Sequence, residues 1–360
     1  MIRIPLGSLP DGRPVTLYEL TNSRGIEIRI MDFGGIVQSI RVPDRDGARG
    51  DIVLGYDDLE GYIRQNVHFG ALIGRYGNRI SRARFELDGK TYRLCANLGT
   101  DHLHGGPSGF DKVLWSASPI SESGVSGLHL THLSVDGEEG YPGNLNVEVD
   151  YRLNEENELI LDYRAITDQA TPLNLTHHTY FNLGSSDDVL DHELWIDAKQ
   201  FLPVSQALIP TGEFREVAQT AFDFRSPRTI GARIRRDDDQ LTWAGGYDHT
   251  FVLPRGGDAT AEDGEPGLPI LIARVAEPHS GRTLEVETTE PGVQFYSGNS
   301  LSSEIVGKGG RAYCPHAGFC LETQHFPDSP NRPEFPSTIL RPGEEYRSRT
   351  VYRFGTDRSR

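Results

Sequence analysis

Lysine is scarce in this 360-residue sequence, in which 36 residues are lysine or arginine. The lysines are Lys90, Lys112, Lys199 and Lys308. Chemistry that depends on a lysine Schiff base is therefore restricted to few places in the chain. Acidic residues exceed basic ones and leave a formal net charge of −16. This charge argues against a nucleic-acid partner and against binding to an anionic membrane surface, because both need basic patches.

Cysteine and long apolar runs are also rare. The cysteines are Cys95, Cys314 and Cys320, and no Cys-x-x-Cys pair occurs. An odd number without such a pair indicates reduced thiols in a cytoplasmic protein. No segment approaches the ~18 apolar residues of a membrane-spanning helix, and the N-terminus lacks the basic and apolar regions of a signal peptide. We therefore expect a cytoplasmic protein without a membrane segment, and the sequence contains no cofactor-binding motif.

Short strands dominate the predicted secondary structure. Apolar and polar residues alternate in many segments rich in β-branched and aromatic residues, with Gly, Pro, Asn and Asp between them. The clearest of these segments are Gly25–Met31, Val37–Val42, Leu145–Tyr151, Glu158–Ala165, Thr283–Thr288 and Gly318–Thr323. Asp88-Gly89 predicts the turn of a hairpin over Phe85–Leu94. At most a short surface helix is expected, over Asp57–Arg64.

These strands do not alternate with helices, which argues against a parallel α/β sheet and favours an all-β sandwich or barrel. The segment 255–269, rich in Gly, Asp and Pro, predicts an exposed loop insertion between two strands. Strand-rich sequence continues in the same style on both sides of it. We therefore expect a single domain over residues 1–360.

Histidines stand in two polar clusters. In Asp101–Gly106, an extended backbone would place His102 and His104 on one face, next to a Gly pair that permits close approach of a ligand. The alternative is a turn with a solvated histidine. In Thr171–Asn182, the same arithmetic places His178 in a polar row and His177 on the apolar side. His178 is thus a candidate site residue, and His177 is predicted to be a core histidine.

A carboxylate stands within a predicted strand near the C-terminus. Glu322 is flanked by Leu321, Cys320 and Phe319, and a carboxylate is costly to bury there without a partner. A catalytic group and a structural ion pair with an arginine are equally compatible with this pattern. Weaker candidates are Asn78 and Arg79 just before a hairpin, Asp248 at the start of a strand, and Gln294 within a strand. Taken singly, each is more typical of turn chemistry or of a solvated edge.

Taken in order, these segments resemble the aldose 1-epimerase (galactose mutarotase) family, from about residue 25 to residue 352. Each motif is weak by itself, whereas the ordered series is highly specific. The matching stretches are Gly74–Ile80, Leu103–Gly106, Gly109–Trp115, Gly137–Gly143, Thr171–Thr176, Tyr180–Leu183, Leu208–Gly212, Tyr247–His249, Pro291–Tyr296, Phe319–Gln324 and Arg341–Tyr346.

The resemblance implies one large antiparallel β-supersandwich with a sugar-binding cleft. It also implies that Glu322 is the catalytic base, that His178 is the catalytic acid, and that His104 assists at the ring oxygen. The implied substrate-binding residues are Asn78, Arg79, Asp248 and Gln294. His177 and His102 depart from the residues frequent at these positions in the family, as does Gly77, and none of these departures removes a catalytic group.

The implied reaction is the interconversion of the α and β anomers of a free aldohexose such as D-galactose or D-glucose, without a metal or cofactor. A glutamate with its ordinary pKa of about 4.3 is ionised at neutral pH and can act as a base. A histidine with a pKa of about 6.5 can hold and release a proton. The expected partner is a small sugar, and the protein is expected to be a monomer or homodimer.

The same residues are also compatible with other functions. A metal enzyme would use His102 and His104 as ligands. A glycoside hydrolase would pair Glu322 with Asp248. A sugar-phosphate 1-epimerase would add basic residues at the cleft rim, and a non-catalytic sugar-binding protein would not need an acid and a base together.

Overall fold

A computed structural model of the chain describes residues 1–64, 67–254 and 267–357, and its sheets are antiparallel. The largest sheet has nine strands. Their spatial order is Ser116–Glu122, Val125–Ser134, Leu145–Leu153, Glu158–Thr167, Tyr346–Thr356, Arg282–Thr288, Ile270–Ala276, Glu193–Ile196 and Arg228–Thr229. The C-terminal strand therefore lies at the centre of this sheet.

Two five-stranded sheets accompany the large one. The first contains the N-terminal strands in sequence order, namely Ile2–Ser8, Pro14–Thr21, Glu27–Met31, Val37–Pro43 and Arg49–Asp51. The second, which we call the cleft sheet, has the spatial order Arg215–Glu216, Gln200–Phe201, Asp248–Val252, Gly292–Tyr296 and Cys320–Gln324. The cleft sheet thus combines strands from distant parts of the chain. Its strand Gly292–Tyr296 lies between Asp248–Val252 and Cys320–Gln324.

Four strand pairs complete the described sheets. They are Arg79–Ile80 with His102–Leu103, Leu72–Ile73 with Thr176–His177, Arg84–Leu87 with Lys90–Arg93, and Thr171–Pro172 with Ile339–Leu340. The α-helices of the described residues are short, at Leu59–Arg64 and Asp239–Ala244. Single 3₁₀ turns occur at Ser81–Ala83, Phe110–Lys112, Glu138–Gly140, Ile230–Ala232, Lys308–Gly310 and Ser329–Asn331. None of these described helices is long and apolar enough to cross a membrane.

The period-two pattern is the reason that the predicted strands form. In Leu145–Leu153, every second side chain is buried, and those between them are partly or fully exposed. Val147, Val149 and Tyr151 therefore enter the main core while their neighbours face solvent. The all-β prediction is confirmed, and each of the clearest predicted strands is present with ends shifted by only one or two residues.

The predicted hairpin is also confirmed. Leu87 and Lys90 face each other across a two-residue turn. Both turn residues have positive φ, 51° at Asp88 and 76° at Gly89, as the tight primed turns of hairpins require. The predicted surface helix is present over Leu59–Arg64. Most of the predicted loop insertion, residues 255–266, lies outside the described residues, and the single domain stays a prediction.

An ion pair between buried Glu290 and half-buried His325 stabilises the end of the cleft sheet. The carboxylate of Glu290 accepts a hydrogen bond from His325 Nδ1 at 2.6 Å and another from the Tyr346 hydroxyl at 2.9 Å. Burial opposes both charges, but the pairing outweighs it, so the pKa of Glu290 lies below and that of His325 above its usual value. The pair therefore stabilises the folded chain as long as both partners are charged.

Replacing Glu290 with glutamine is expected to lower the free energy of unfolding by about 3 kcal/mol, because His325 loses its counter-charge. The Glu290 contribution is lost as pH falls below about 4.3, and the His325 contribution is lost as pH rises through its raised pKa above about 6.5. The difference between the variant and the wild type should thus be largest between these values and shrink at alkaline pH. Urea unfolding at several pH values measures it.

Glu285→Gln is the matched control, because Glu285 pairs with exposed Arg274 and with partly exposed Arg353 on the surface of the large sheet. Such surface pairs contribute about 0–1 kcal/mol. Equal losses in the two variants, or a loss in E290Q that grows at alkaline pH, would contradict the assignment.

Candidate active site

The cleft sheet carries three of the predicted polar residues on adjacent strands. Gln294 lies directly opposite Glu322 in one strand pair and opposite Thr250 in the other. Asp248 is the first residue of the strand Asp248–Val252. This strand pairs with the Gln294 strand on the edge opposite the Glu322 strand. Cross-strand neighbours lie about 5 Å apart, so the sheet itself brings these groups to one place although 74 positions separate Asp248 from Glu322 in the sequence.

His178 faces Glu322 from a different part of the fold. It follows the short strand Thr176–His177, and its Nε2 lies 3.7 Å from Oε1 of Glu322. Its Nδ1 lies 3.5 Å from the sulfur of Cys320, and its ring stacks on Tyr180 with centroids 5.0 Å apart. Both His178 and Glu322 are buried. The predicted acid and base are thus neighbours at the floor of a cleft.

His104 stands beside this pair. Its backbone is left-handed, with φ of 52°, and it follows the strand His102–Leu103. The next residue must be glycine, because a Cβ on Gly105 would lie 1.8 Å from the carbonyl oxygen of Gly74. The amide of Asn78 donates to His104 Nδ1 at 3.1 Å, so the ring proton of a neutral His104 is on Nε2.

The prediction that His102 shares a face with His104 is wrong. The left-handed turn at His104 breaks the alternation on which that prediction depended. His102 instead points into the core, where Nδ1 meets the carbonyl oxygen of Cys95 and Nε2 meets the hydroxyl of Tyr141, both at 2.7 Å. Burial lowers the pKa of His102 to about 4. The metal pair His102 and His104 considered from the sequence is therefore not formed.

His177 lies in the core, as predicted. Its ring packs edge-on against Tyr151 with centroids 5.9 Å apart, and its Nδ1 lies 2.7 Å from the hydroxyl of Thr179. Burial lowers its pKa to about 3. His177 and His178 thus separate into core and cleft although they are adjacent in the sequence.

The predicted substrate-binding residues form one hydrogen-bonded network. Arg79 Nη2 lies 3.2 Å from Oδ2 of Asp248, and Nη1 lies 3.2 Å from Oδ1 of Asn78. Gln294 donates to Oδ1 of Asp248 at 2.6 Å and accepts from Thr250 at 2.5 Å. Both oxygens of Asp248 therefore accept hydrogen bonds from neighbouring side chains.

Two buried polar atoms at the cleft floor have no hydrogen-bond partner among the described residues. They are Oε2 of Glu322 and Nε of Arg79. Buried polar groups normally have partners, and these two atoms belong to residues that line the cleft. Glu322 is thus not held in a direct ion pair with arginine, the structural alternative left open by the sequence.

The pKa values of Glu322 and His178 at the cleft floor differ from the ordinary values assumed from the sequence. Burial, and then the negative charge of Asp248, raise the pKa of Glu322 well above its usual range, against the opposing charge of Arg79. Burial, and then the positive charge of His68, lower the pKa of His178 well below its usual value. Both shifts disfavour charge on these two side chains in the empty cleft.

The cleft has a volume of about 700 Å³. All of the predicted site residues line it except Gln294, which lies behind Asp248. Several lining residues were not predicted from the sequence, and the most notable are His68 and Trp243. Trp243 lies in the last turn of the helix Asp239–Ala244, which Asp238 caps through the amide of Gln240. A six-residue helix is too short to leave a periodic signal, and His68 stands in no recognisable motif.

A cluster of possible ligands for a metal ion coincides with this site. Nitrogen or oxygen atoms of His104, His178 and Glu322 lie within 4.8 Å of one another. This donor set is of the type that binds iron or zinc. The same three groups are those that an acid–base reaction requires, so a metal measurement belongs with any test of the site.

Comparison with known proteins gives concordant results. A family model described as aldose 1-epimerase matches residues 16–353. Galactose mutarotase from Homo sapiens is 45% identical over 354 residues, 98% of each chain. Aldose 1-epimerase from Escherichia coli K12 is 41% identical over 348 residues, 96% of each chain.

Solved structures agree with these relatives. Galactose 1-epimerase from Lactobacillus acidophilus superposes with a TM-score of 0.84 at 27% identity, covering 99% of this chain and 98% of that one. The GalM/aldose epimerase homologue from C. elegans gives the same TM-score at 28% identity, covering 94% and 98%. The fold is therefore the galactose mutarotase-like β-supersandwich. On the family match and these relatives, the chain belongs to the aldose 1-epimerase family and is an isomerase that interconverts the anomers of a sugar.

Proposed function

We propose that this chain interconverts the α and β anomers of free aldohexoses such as D-galactose and D-glucose, with Glu322 as base and His178 as acid. The observation that carries the assignment is the buried pair at the cleft floor, with His178 Nε2 3.7 Å from Oε1 of Glu322. Both groups face the cleft. A sugar bound there can lie against both at once.

The reaction requires one proton to leave and another to arrive. Ionised Glu322 takes the proton of the anomeric hydroxyl while the bond between C1 and the ring oxygen breaks. Protonated His178 gives its proton to the ring oxygen, and His104, whose Nε2 bears hydrogen, assists there. The aldehyde rotates about C1–C2 and closes on its other face by the reverse transfers. The Glu322–His178 pair carries one proton before ring opening and one after it, so no net charge is created in the buried site.

The surrounding network supports a holding role for four residues. Asn78, Arg79 and Asp248 present hydrogen-bonding groups at the cleft wall, and Gln294 fixes Asp248 from behind. Arg79 lines the cleft, and its guanidinium group can donate to a sugar oxygen. Loss of these groups should weaken substrate binding more than it slows the chemical step.

Charge at the cleft favours a neutral sugar over a sugar phosphate. Among the described residues that line it, Arg79 is the only arginine or lysine, and it pairs with Asp248. A phosphate group needs uncommitted basic residues or backbone amides. We therefore propose that the substrates are free hexoses rather than their 6-phosphates. Three earlier expectations stay predictions: the cytoplasmic location, the absence of nucleic-acid and membrane partners, and the monomeric or homodimeric state.

Polarimetry of freshly dissolved α-D-galactose and α-D-glucose tests the proposal directly. We expect the purified chain to accelerate the approach to anomeric equilibrium, with a kcat/KM for the free hexoses at least tenfold above that for their 6-phosphates. Binding without acceleration would indicate a sugar-binding protein, and preference for the 6-phosphates would overturn the substrate class. Activity lost on chelation and restored by a stoichiometric metal would overturn the metal-free mechanism.

A further inference from the structure

A third histidine lies at the active site. His68 lines the cleft and has a left-handed backbone with φ of 58°. Its segment is bonded to that of His178, because the amide of Gly70 donates to the carbonyl oxygen of His178 at 3.0 Å and the amide of His178 donates to that of Ala71 at 2.9 Å. His68 is therefore held in register with the proposed catalytic acid.

A buried carboxylate orients the His68 ring. Nδ1 lies 3.0 Å from Oδ2 of Asp111, which sits in the 3₁₀ turn Phe110–Lys112. Lys112 Nζ lies 3.5 Å from the same oxygen. Burial raises the pKa of Asp111, but its bonds to His68 and Lys112 outweigh burial and leave the pKa below its usual value. An ionised Asp111 accepts only, so Nδ1 of His68 bears the hydrogen and Nε2 points away from Asp111.

The ring lies against both proposed catalytic histidines. Its centroid is 4.9 Å from that of His104, edge to face, and 5.8 Å from that of His178, stacked. The side chain is 10% exposed, and within the described ranges its Nε2 has no protein hydrogen-bond partner. The bond between Nδ1 and Asp111 fixes the orientation of the ring and leaves Nε2 available to a molecule bound in the cleft.

We propose that His68, oriented by Asp111, is a substrate-contacting residue whose Nε2 forms a hydrogen bond with a sugar hydroxyl next to His104. The inference rests on the proposed function. A sugar hydroxyl both donates and accepts, so it can pair with Nε2 whether or not that nitrogen carries a hydrogen. His68 thereby determines which hydroxylated sugars the cleft prefers, whereas Glu322 and His178 carry the proton transfers.

The test compares wild type with His68→Phe, which keeps a ring against His104 and His178 but removes Nε2. The readouts are KM and kcat for D-galactose and for its 2-deoxy, 3-deoxy, 4-deoxy and 6-deoxy analogues. We expect H68F to raise KM for D-galactose roughly three- to tenfold, the size of one neutral hydrogen bond, with kcat within about twofold. The difference should vanish for the analogue that lacks the partner hydroxyl.

Two further variants keep the test decisive. His68→Gln retains an acceptor near the Nε2 position and should lie closer to wild type than H68F. His68→Met also removes Nε2 and leaves an apolar side chain. It replaces H68F in the test if the phenyl ring disturbs folding, and the same rise in KM is expected. His129→Phe is the matched control, because His129 pairs with Asp150 at 2.6 Å on the large sheet, away from the cleft.

The proposal is overturned if H68F and H68M match wild type, if their KM defect is equal for every analogue, or if kcat falls while KM is unchanged. The last result would make His68 a positioning residue only. Failure of the proposed function looks different, because the wild-type chain would then not accelerate mutarotation at all.

Discussion

Glu322→Gln is expected to lower kcat for mutarotation at least ~100-fold, because a positioned general base contributes roughly 10²- to 10⁴-fold. Glutamine keeps the shape of the side chain and one acceptor oxygen but cannot take the anomeric proton. KM should change less than kcat, since the groups that hold the sugar remain. Polarimetry of fresh α-D-galactose, with enzyme concentrations raised to detect residual turnover, measures the loss.

The fold should tolerate this change. Oε2 of Glu322 is buried without a described partner, so a neutral amide there removes a group that is costly to keep charged. We expect an unchanged or slightly higher Tm. Glu285→Gln, on the exposed face of the large sheet, is the control that should keep full activity. An active E322Q enzyme would refute the base assignment.

His178→Gln should be similarly severe, with kcat reduced at least ~100-fold, because the amide cannot deliver a proton to the ring oxygen. Gln also ends the contact between Nε2 and Glu322. The surface variant His129→Gln should behave as wild type. If H178Q lost only affinity for the sugar and kept kcat, His178 would be a binding residue and the acid would have to be sought at His104.

The pH dependence of the wild-type enzyme should be broad. The Glu322–His178 pair is active with one proton, and interacting groups titrate in two steps that belong to the pair. Burial lowers the pKa of His178, so uptake of a second proton and loss of activity should occur below the ordinary histidine value of about 6.5. The raised pKa of Glu322 delays loss of the last proton on the alkaline side. An acid limb of kcat/KM above pH 6.5 would contradict these directions.

Strands and the hairpin were accessible from the sequence, because alternation and turn chemistry are local. Leu145–Leu153 buries every second side chain, as its pattern requires, and Asp88-Gly89 adopts the positive φ angles of its turn. The order of strands in the sheets is set by contacts between distant segments, such as Tyr346–Thr356 between Glu158–Thr167 and Arg282–Thr288. No local sequence pattern indicates which of these distant strands become neighbours in the sheet.

Face arithmetic succeeded for one histidine pair and failed for the other. His177 and His178 lie on opposite sides as alternation predicts, whereas His102 and His104 do not share a face because His104 is left-handed. The Gly pair after His104 was the local sign of irregular backbone, but it did not indicate which histidine would turn. His68 left no sign, because its meeting with Asp111 joins positions 43 residues apart.

By itself, the sequence determined an acidic, strand-rich chain, its resemblance to the aldose 1-epimerases, and Glu322, His178 and His104 as candidates. These depend on composition, on short-range periodicity and on ordered motifs, all of which can be recognised without knowledge of the fold. Only the tertiary structure decided that Gln294 stands behind Asp248, that His102 belongs to the core, and that His68 joins the site. It also determined the shifted pKa values of Glu322 and His178, because burial and neighbouring charges arise only when the distant strands meet.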